Sequence, residues 1–309
     1  MGWTLISDEF LAGVFRSDAG ERRYKLFRPS VASLPEVGQR TLVVVLHGCT
    51  QDADDIARGT RFNSRAAIDG FIVLYPEQPV AANDRKCWNW FIPSQIGRAG
   101  GEVRILGEMT AALAKAEGID PRRIFLTGIS AGAAMAANLA VAYPDLFAAV
   151  AMHSGLAAGA AVDMASALAA MASGARDTDA LGAAAFRTMG AHARVVPVMV
   201  VQGSADPAVS VRNLATTARQ WVVTNALAAG AATPSEPTII PPPASVARSE
   251  ALVGSRYALA DGTVLAETWR VEGLGHAWSG GSSEGSFTDP KAPDATALIL
   301  DFFSRHPKR

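Results

Sequence analysis

The sequence has little of several features that would define other classes of protein. Two cysteines in 309 residues are too few for a disulfide-rich scaffold or a zinc site. Neither sign of charge is in excess, because 28 lysines and arginines stand against 29 aspartates and glutamates. This balance offers no basic surface to nucleic acid or to an anionic membrane, and we predict neither partner.

No apolar run is long and uninterrupted enough to predict a membrane span. The most apolar stretch, 146–172, is mostly Ala and Gly and is interrupted by His153 and Asp163. The first ten residues lack the basic and then apolar segments of a secretory signal. We predict a single domain over 1–309, with a flexible N-terminus at 1–8, and leave the oligomeric state open.

The cysteines themselves allow two interpretations. Cys49 and Cys87 are 38 residues apart. A bridge between them would stabilise the fold by about 4 kcal/mol on a chain-entropy basis. It would also favour an oxidising compartment. The alternative is a pair of free thiols in the core, and the absence of a leader favours the cytosol, so the pattern alone leaves the location undecided.

Short β-branched runs alternate with segments of helical periodicity. The predicted strands are 9–16, 22–28, 41–46, 71–74, 123–127, 148–152, 195–201, 252–259 and 264–271. The predicted helices are 102–117, 131–142, 211–229 and 294–305, with an Ala-rich helical insertion at 157–193 and a Pro-rich loop at 233–243. This alternation predicts an α/β fold with a mostly parallel central sheet flanked by helices.

One motif has a direct chemical meaning. Gly128-Ile-Ser130-Ala-Gly132 follows a predicted strand and begins a predicted helix, which is the context of a nucleophile elbow. Glycine is needed there because neighbouring backbone passes close to the turn, and the helix N-terminus offers N–H groups to developing negative charge. We predict that Ser130 is a nucleophile; the alternative is a Gly-rich packing turn.

A serine nucleophile needs a base and a group that orients the base. In α/β hydrolases these partners follow in the order acid, then histidine. Asp206 follows the predicted strand at 195–201, and His276 lies in a Gly-flanked loop after the last predicted strand. We therefore predict a triad of Ser130, Asp206 and His276.

The loop after the predicted strand at 41–46 completes the predicted site. We predict that the N–H groups of Cys49 and Ala131 form an oxyanion hole. A Cys49–Cys87 bridge would hold this loop still and bring Trp88 and Trp90 near the pocket rim. The predicted substrate-binding side chains are Trp88, Trp90, Trp278 and His47; ordinary core packing is the alternative.

The sequence offers no pattern for a metal or a cofactor. No group of Asp, Glu and His has metal-ligand spacing, and neither a dinucleotide-binding nor a phosphate-binding loop occurs. We predict neither a metal nor a cofactor.

Together these segments resemble the polyhydroxybutyrate depolymerase family of esterases from about residue 8 onward. The matching segments are Leu-His-Gly-Cys-Thr-Gln (46–51), Tyr-Pro-Glu (75–77), Cys-Trp-Asn-Trp-Phe (87–91), Gly-Ile-Ser-Ala-Gly (128–132), His-Ser-Gly-Leu (153–156), Gly-Ser-Ala-Asp (203–206) and Gly-His-Ala-Trp-Ser-Gly-Gly (275–281). The resemblance implies an α/β hydrolase that cleaves short-chain polyhydroxyalkanoates or their oligomers, with the triad and oxyanion donors named above. It also favours a secreted, extracellular protein.

Two further expectations follow from this resemblance. Secreted polymer depolymerases often carry a linker and a substrate-binding domain after the catalytic part, and this chain ends without either, so we expect soluble esters or amorphous polyester as substrates. The family borders on feruloyl and acetylxylan esterases, which makes an aryl or sugar esterase the alternative activity. A non-catalytic polymer- or lipid-binding protein on a hydrolase fold is a third interpretation.

Overall fold

One large sheet organises the computed structural model, which describes residues 8–30, 33–247 and 249–308. Its ten strands are β1 (Glu9–Ser17), β2 (Gly20–Arg28), β3 (Arg40–Leu46), β4 (Ile72–Pro76), β5 (Ile119–Ile129), β6 (Val150–His153), β7 (Val198–Gly203), β8 (Thr238–Ile240), β9 (Leu252–Ala258) and β10 (Val264–Val271). Their order in the sheet is β1-β2-β4-β3-β5-β6-β7-β10-β9-β8. A separate parallel pair is formed by β11 (Trp278–Ser279) and β12 (Thr288–Asp289).

The six central strands, from β4 to β10 in sheet order, are parallel. Antiparallel strands close both edges, with the β1–β2 hairpin on one side and β9 and β8 on the other. The helices are α1 (Ala53–Thr60), α2 (Phe62–Asp69), α3 (Gly101–Ala116), α4 (Ala131–Ala142), α5 (Met164–Ser173), α6 (Thr178–Met189), α7 (Arg212–Ala228) and α8 (Ala295–Arg305). None of the helices in the described residues is long and apolar enough to cross a membrane.

The alternation of side chains along β3 explains why both faces of the sheet are covered. Leu42, Val44 and Leu46 join the core that also contains residues of α3, α4 and α7. Val43 and Val45 point to the opposite core, with residues of α1, α2 and α8. A strand buried on both faces needs apolar residues at every position, which is the pattern of this segment.

The predicted α/β class is confirmed. The two predicted N-terminal strands are present and form a hairpin, and the helical insertion consists of α5 and α6. Several elements were not expected. The Pro-rich segment 233–243 contains the short edge strand β8, whose residues Thr238–Ile240 include no proline and pair with β9. The sequence reasoning also missed α1, α2 and the β11–β12 pair. The first turn of α1 is capped by the Asp52 side chain, which accepts from the N–H of Asp55.

Two other expectations concern the ends of the chain. The predicted flexible N-terminus falls on 1–8, of which residues 1–7 lie outside the described residues. The single domain over 1–309 stays a prediction.

Candidate active site

Ser130 lies at the junction of β5 and α4, in a conformation that few side-chain-bearing residues adopt. Its φ is 57°; such a conformation costs roughly 1–3 kcal/mol and persists only where the surrounding structure imposes it. Two backbone hydrogen bonds hold Ser130 in this conformation. Its N–H donates to the carbonyl of His153 at 3.0 Å, and the carbonyl of Ser130 accepts from the N–H of Ala134 at 3.0 Å. The neighbouring strand and the first turn of α4 thus hold the turn in place.

The two glycines of the elbow are required by the end of β3. A Cβ built on Gly128 would lie 2.7 Å from the carbonyl oxygen of Leu46, and one on Gly132 would lie 2.2 Å from the same atom. Both distances are shorter than any real contact of a Cβ. The close approach of β3 to the elbow therefore depends on both residues being glycine.

His276 joins Ser130 to Asp206. Its Nε2 atom lies 3.0 Å from Oγ of Ser130, and its Nδ1 atom lies 2.8 Å from Oδ2 of Asp206. A carboxylate only accepts hydrogen bonds, so the ring proton belongs on Nδ1 and Nε2 is left to accept from the hydroxyl. The three side chains come from loops that follow β5, β7 and β10, at the carboxyl edge of the parallel strands.

Three residues that the sequence reasoning did not single out hold the acid. The N–H groups of Ala208 and Val209 donate to Oδ1 of Asp206, and Nε2 of Gln202 donates to Oδ2. Burial alone would raise the pKa of Asp206, but the hydrogen bonds from His276 and the backbone outweigh it and hold the pKa below its ordinary value. The carboxylate is therefore ionised and aimed at the imidazole.

The loop after β3 is fastened on several sides. The disulfide between Cys49 and Cys87 is present. The N–H of Gly48 donates to Oε1 of Gln51 at 2.9 Å, and the N–H of Thr50 donates to the carbonyl of Arg85 at 2.7 Å. No residue in the described part of the chain accepts a hydrogen bond from the N–H of Cys49 or of Ala131, which leaves both donors available.

His47 lies beneath this loop and not in a substrate pocket. Its ring is fully buried; Nε2 accepts from the N–H of Gln78 at 3.0 Å, and Nδ1 lies 2.7 Å from the carbonyl oxygen of Gly48. Burial lowers the pKa of His47 to about 4, so the ring is neutral and Nδ1 carries its proton. The predicted placement of His47 against substrate is therefore corrected.

Two of the predicted tryptophans are also core residues. Trp88 is fully buried and donates from Nε1 to the carbonyl of His47 at 3.1 Å. Trp278 is 1% exposed, packs on the ring of His153 at 5.0 Å and donates to Oγ1 of Thr296. Neither lines the cavity beside Ser130, which corrects their expected placement, and both indole N–H groups are satisfied inside the fold.

A cavity of about 470 Å³ opens beside Ser130 and His276. Trp90 and Phe91 form an aromatic part of its lining. Met164, Leu168 and Met171 of α5 also line the cavity, and so does Phe287, whose ring lies 6.3 Å from that of His276. The sequence reasoning missed these four residues. The only advance sign of the α5 residues was that the segment Met164–Ser173 contains no ionisable residue.

The site holds no obvious place for a metal. In the described ranges, no group of three or more His, Cys, Asp and Glu side chains is arranged to hold a metal ion. The available chemistry is that of the hydroxyl, the imidazole, the carboxylate and the backbone N–H groups.

The strand order and the placement of elbow, acid and histidine define an α/β hydrolase fold. Within that class, the chain belongs to the esterase PHB depolymerase family, whose model matches residues 22–237. The matched segment contains Ser130 and Asp206, and His276 lies beyond it.

Relatives fall into three kinds of esterase. The chain is 33% identical over 237 residues to Poly(3-hydroxyalkanoate) depolymerase C of Paucimonas lemoignei, which covers 76% of this chain and 54% of that protein. A probable acetylxylan esterase A of Aspergillus clavatus is 34% identical over 119 residues, covering 38% of each chain. Feruloyl esterase B of Thermothelomyces thermophilus is 36% identical over 122 residues, covering 39% of this chain and 40% of that protein. The chain thus spans about half the length of the depolymerase and less than half the length of the other two relatives.

Solved structures agree on the fold. An acetyl xylan esterase from Aspergillus awamori superposes with a TM-score of 0.71 at 20% identity, covering 87% of this chain and 94% of that chain. Esterase PE8 superposes with a TM-score of 0.51 at 18% identity, covering 96% and 99% of the two chains. At these identities the likeness concerns the fold.

Proposed function

We propose that this protein is a serine esterase that hydrolyses short-chain poly(3-hydroxyalkanoate) esters or their oligomers. The observation that carries the proposal is the hydrogen-bonded series from Oγ of Ser130 through His276 to Asp206, set at the edge of an apolar cavity. Membership of the esterase family and the name of the depolymerase relative support the same activity.

The first half of the reaction acylates Ser130. Its Oγ attacks the ester carbonyl carbon while Nε2 of His276 takes the hydroxyl proton, and the charge of Asp206 stabilises the imidazolium that forms. The carbonyl oxygen becomes an oxyanion, which the N–H groups of Cys49 and Ala131 stabilise. When the intermediate collapses, the carbon–oxygen ester bond breaks and His276 returns the proton to the leaving alcohol.

The second half releases the acid. A water molecule loses a proton to Nε2 of His276 and attacks the acyl-enzyme carbonyl, and the same oxyanion donors act again. Collapse of this second intermediate restores the Ser130 hydroxyl with the proton from His276. Ordered oxyanion donors favour both halves of the reaction, because they need no reorganisation as charge develops, and the Cys49–Cys87 bridge is one of the contacts that hold their loop.

The aromatic wall of the cavity supports a second candidate activity. Trp90 and Phe91 could stack on an aromatic acyl group, as a feruloyl or another aryl esterase would require. An acetylxylan-type activity is the other form of this alternative, and relatives of both kinds match part of the chain.

The triad is tested by replacing Ser130 with Ala and measuring hydrolysis of p-nitrophenyl butyrate and labelling by a fluorophosphonate. Both should be lost. Ser154→Ala is the matched control. Ser154 also follows a strand and has a positive φ, and its Oγ lies 3.1 Å from Nδ1 of His153. The other ring nitrogen of His153 accepts from the N–H of Ser279 and, among the described residues, is not paired with a carboxylate. Full turnover in a folded Ser130→Ala variant would refute the mechanism.

The substrate class is tested by comparing three substrates at equal enzyme concentration. Release of 3-hydroxybutyrate from amorphous polyhydroxybutyrate should exceed the hydrolysis of methyl ferulate and of acetylated xylan, with Ser130→Ala as the blank. Faster release of ferulate or acetate would keep the triad and transfer the assignment to an aryl or sugar esterase.

A further inference from the structure

A second cleft adjoins the cavity at Ser130. It has a volume of about 490 Å³ and is bounded on one side by the end of α5 and on the other by the loop after β7. Leu168, Met171 and Ala208 line both the cleft and the cavity. A molecule that extends from the cavity past these three residues therefore enters the cleft.

Among the described residues, no charged side chain is exposed on the surface of this cleft. Its one ionisable residue is Asp206, whose side chain is fully buried and engaged with His276. The rest combines apolar residues, among them Leu168 and Val211, with the hydroxyls of Ser204 and Ser210. In the described part of the chain both hydroxyl oxygens accept a backbone N–H, and neither donates a hydrogen bond, so their O–H groups remain free to donate.

We propose that this cleft is a subsite for the units on the alcohol side of an ester chain. The inference rests on the proposed function, because it takes Ser130 as the nucleophile and His276 as the acid that protonates the leaving alcohol. The leaving oxygen must then lie at Nε2 of His276. The loop that lines the cleft also holds the carboxylate behind this ring, and no described residue of the cleft belongs to the loop of Cys49 on which the oxyanion would lie. We therefore assign the cleft to the alcohol side of the reacting carbonyl.

The chemistry of the lining favours a polyester over a sugar chain. A hydroxyalkanoate chain alternates short apolar units with ester carbonyls, which accept hydrogen bonds but donate none. The free O–H groups of Ser204 and Ser210 match these carbonyls, and the apolar side chains match the units between them. A xylan chain would bring many hydroxyls, and each one buried without a partner costs free energy.

The test uses two series of esters with one cleavable position each. One series keeps a butyryl acyl group and lengthens the alcohol side from one to three 3-hydroxybutyrate units, with the later linkages replaced by non-cleavable isosteres; the other lengthens the acyl side in the same way. We expect kcat/KM to rise about tenfold along the alcohol-side series, which corresponds to about 1.4 kcal/mol. A gain confined to the acyl side would overturn the proposal.

The first variant and its control both come from α5. Ala172→Trp fills the cleft, and Ala169→Trp adds the same side chain at an exposed position of the same helix that lines neither space. The gain with alcohol-side length should vanish in Ala172→Trp and persist in Ala169→Trp. Val211→Phe, which fills the cleft from the opposite wall, gives the same readout if Ala172→Trp does not fold.

The outcomes distinguish failure of the proposed subsite from failure of the proposed esterase activity. If p-nitrophenyl butyrate is hydrolysed and the gain survives both cleft-filling variants, the subsite is overturned and the esterase stands. If no ester is hydrolysed by the folded protein, the proposed function fails and the subsite fails with it.

Discussion

Nδ1 of His47 lies 2.7 Å from the carbonyl oxygen of Gly48, and that carbonyl shares a peptide unit with the N–H of Cys49. The C=O and N–H of a trans peptide point in opposite directions, and no cis peptide occurs in the described residues. A ring that anchors the carbonyl from the core therefore turns the N–H of Cys49 away from the core. Cys49 itself lines the cavity beside Ser130.

We accordingly expect His47→Gln to lower kcat for p-nitrophenyl butyrate by about 100-fold with little change in KM. The reason is that loss of an oriented oxyanion donor affects the transition state far more than the bound ester. His192→Gln, a substitution at an exposed histidine, serves as the control and should retain both constants. A raised KM with unchanged kcat would instead assign His47 to substrate binding.

Buried histidines should make the fold sensitive to mild acid. Burial lowers the pKa of His47 to about 4 and that of His153 to about 3, whereas both rings titrate near 6.5 in the unfolded chain. Below pH 6.5 the unfolded state therefore binds protons that the folded state does not, and stability present above pH 6.5 is lost as the pH falls.

The free energy of unfolding, measured by urea titration between pH 7.5 and 5, reports this effect, because most carboxylates titrate below that range. Near pH 5 each of these histidines should lower the free energy of unfolding by up to about 1.4 kcal/mol per pH unit. His306 contributes in the same direction, because burial lowers its pKa too. His47→Gln should reduce the slope, and a stability independent of pH over this range would contradict the buried, neutral state of the rings.

The buried carboxylate of Glu102 stabilises the segment that forms part of the cavity lining. Glu102, 1% exposed, accepts hydrogen bonds from the side chain of Gln78 and from both the N–H and the side chain of Asn89. The distance from its Oε1 to the guanidinium of Arg22 is 3.4 Å. This one side chain thus supports the residue that donates to His47 and the segment that leads to Trp90.

Replacement of Glu102 by Gln puts an amide N–H₂, which is a donor, where a carboxylate oxygen now accepts hydrogen bonds from Gln78 and Asn89. We expect a loss of about 3 kcal/mol in the free energy of unfolding, as for other buried charge pairs that lose one partner. Glu108→Gln is the control on the same helix, α3, because Glu108 forms a partly exposed pair with Arg104 and should cost less than about 1 kcal/mol. Equal losses in urea titrations of the two variants would show that the Glu102 contacts do not stabilise the fold.

The disulfide should affect both stability and turnover. A Cys49→Ser/Cys87→Ser variant keeps the backbone N–H at position 49 but opens a loop of 38 residues, at a cost of about 4 kcal/mol in the chain-entropy model. Turnover should fall as well, because the loop that carries the proposed oxyanion donor, the N–H of Cys49, loses an anchor. Wild-type protein treated with dithiothreitol should approach the variant in both thermal midpoint and kcat; a variant with the kcat of wild type would show that the remaining hydrogen bonds suffice to order the loop.

Sequence reasoning reached the α/β class, and it selected Ser130, Asp206 and His276, which the fold brings within hydrogen-bond distance of one another. Local rules govern both results. The elbow is encoded by two glycines that the close approach of β3 demands. The acid and the histidine each follow a strand of the parallel sheet, and the carboxyl ends of such strands meet along one edge. Residues that are distant in the chain are thereby brought together by topology alone.

The roles of His47, Trp88 and Trp278 were decided only by the tertiary structure. Each lies in a motif beside the site, yet each side chain points into the core and finds its partner in another segment of the chain. The apolar wall of α5, the support from Glu102 and the second cleft likewise depend on which surfaces fold against each other. A sequence pattern records the period of an element, but the direction of a side chain relative to distant neighbours is a property of the packed molecule.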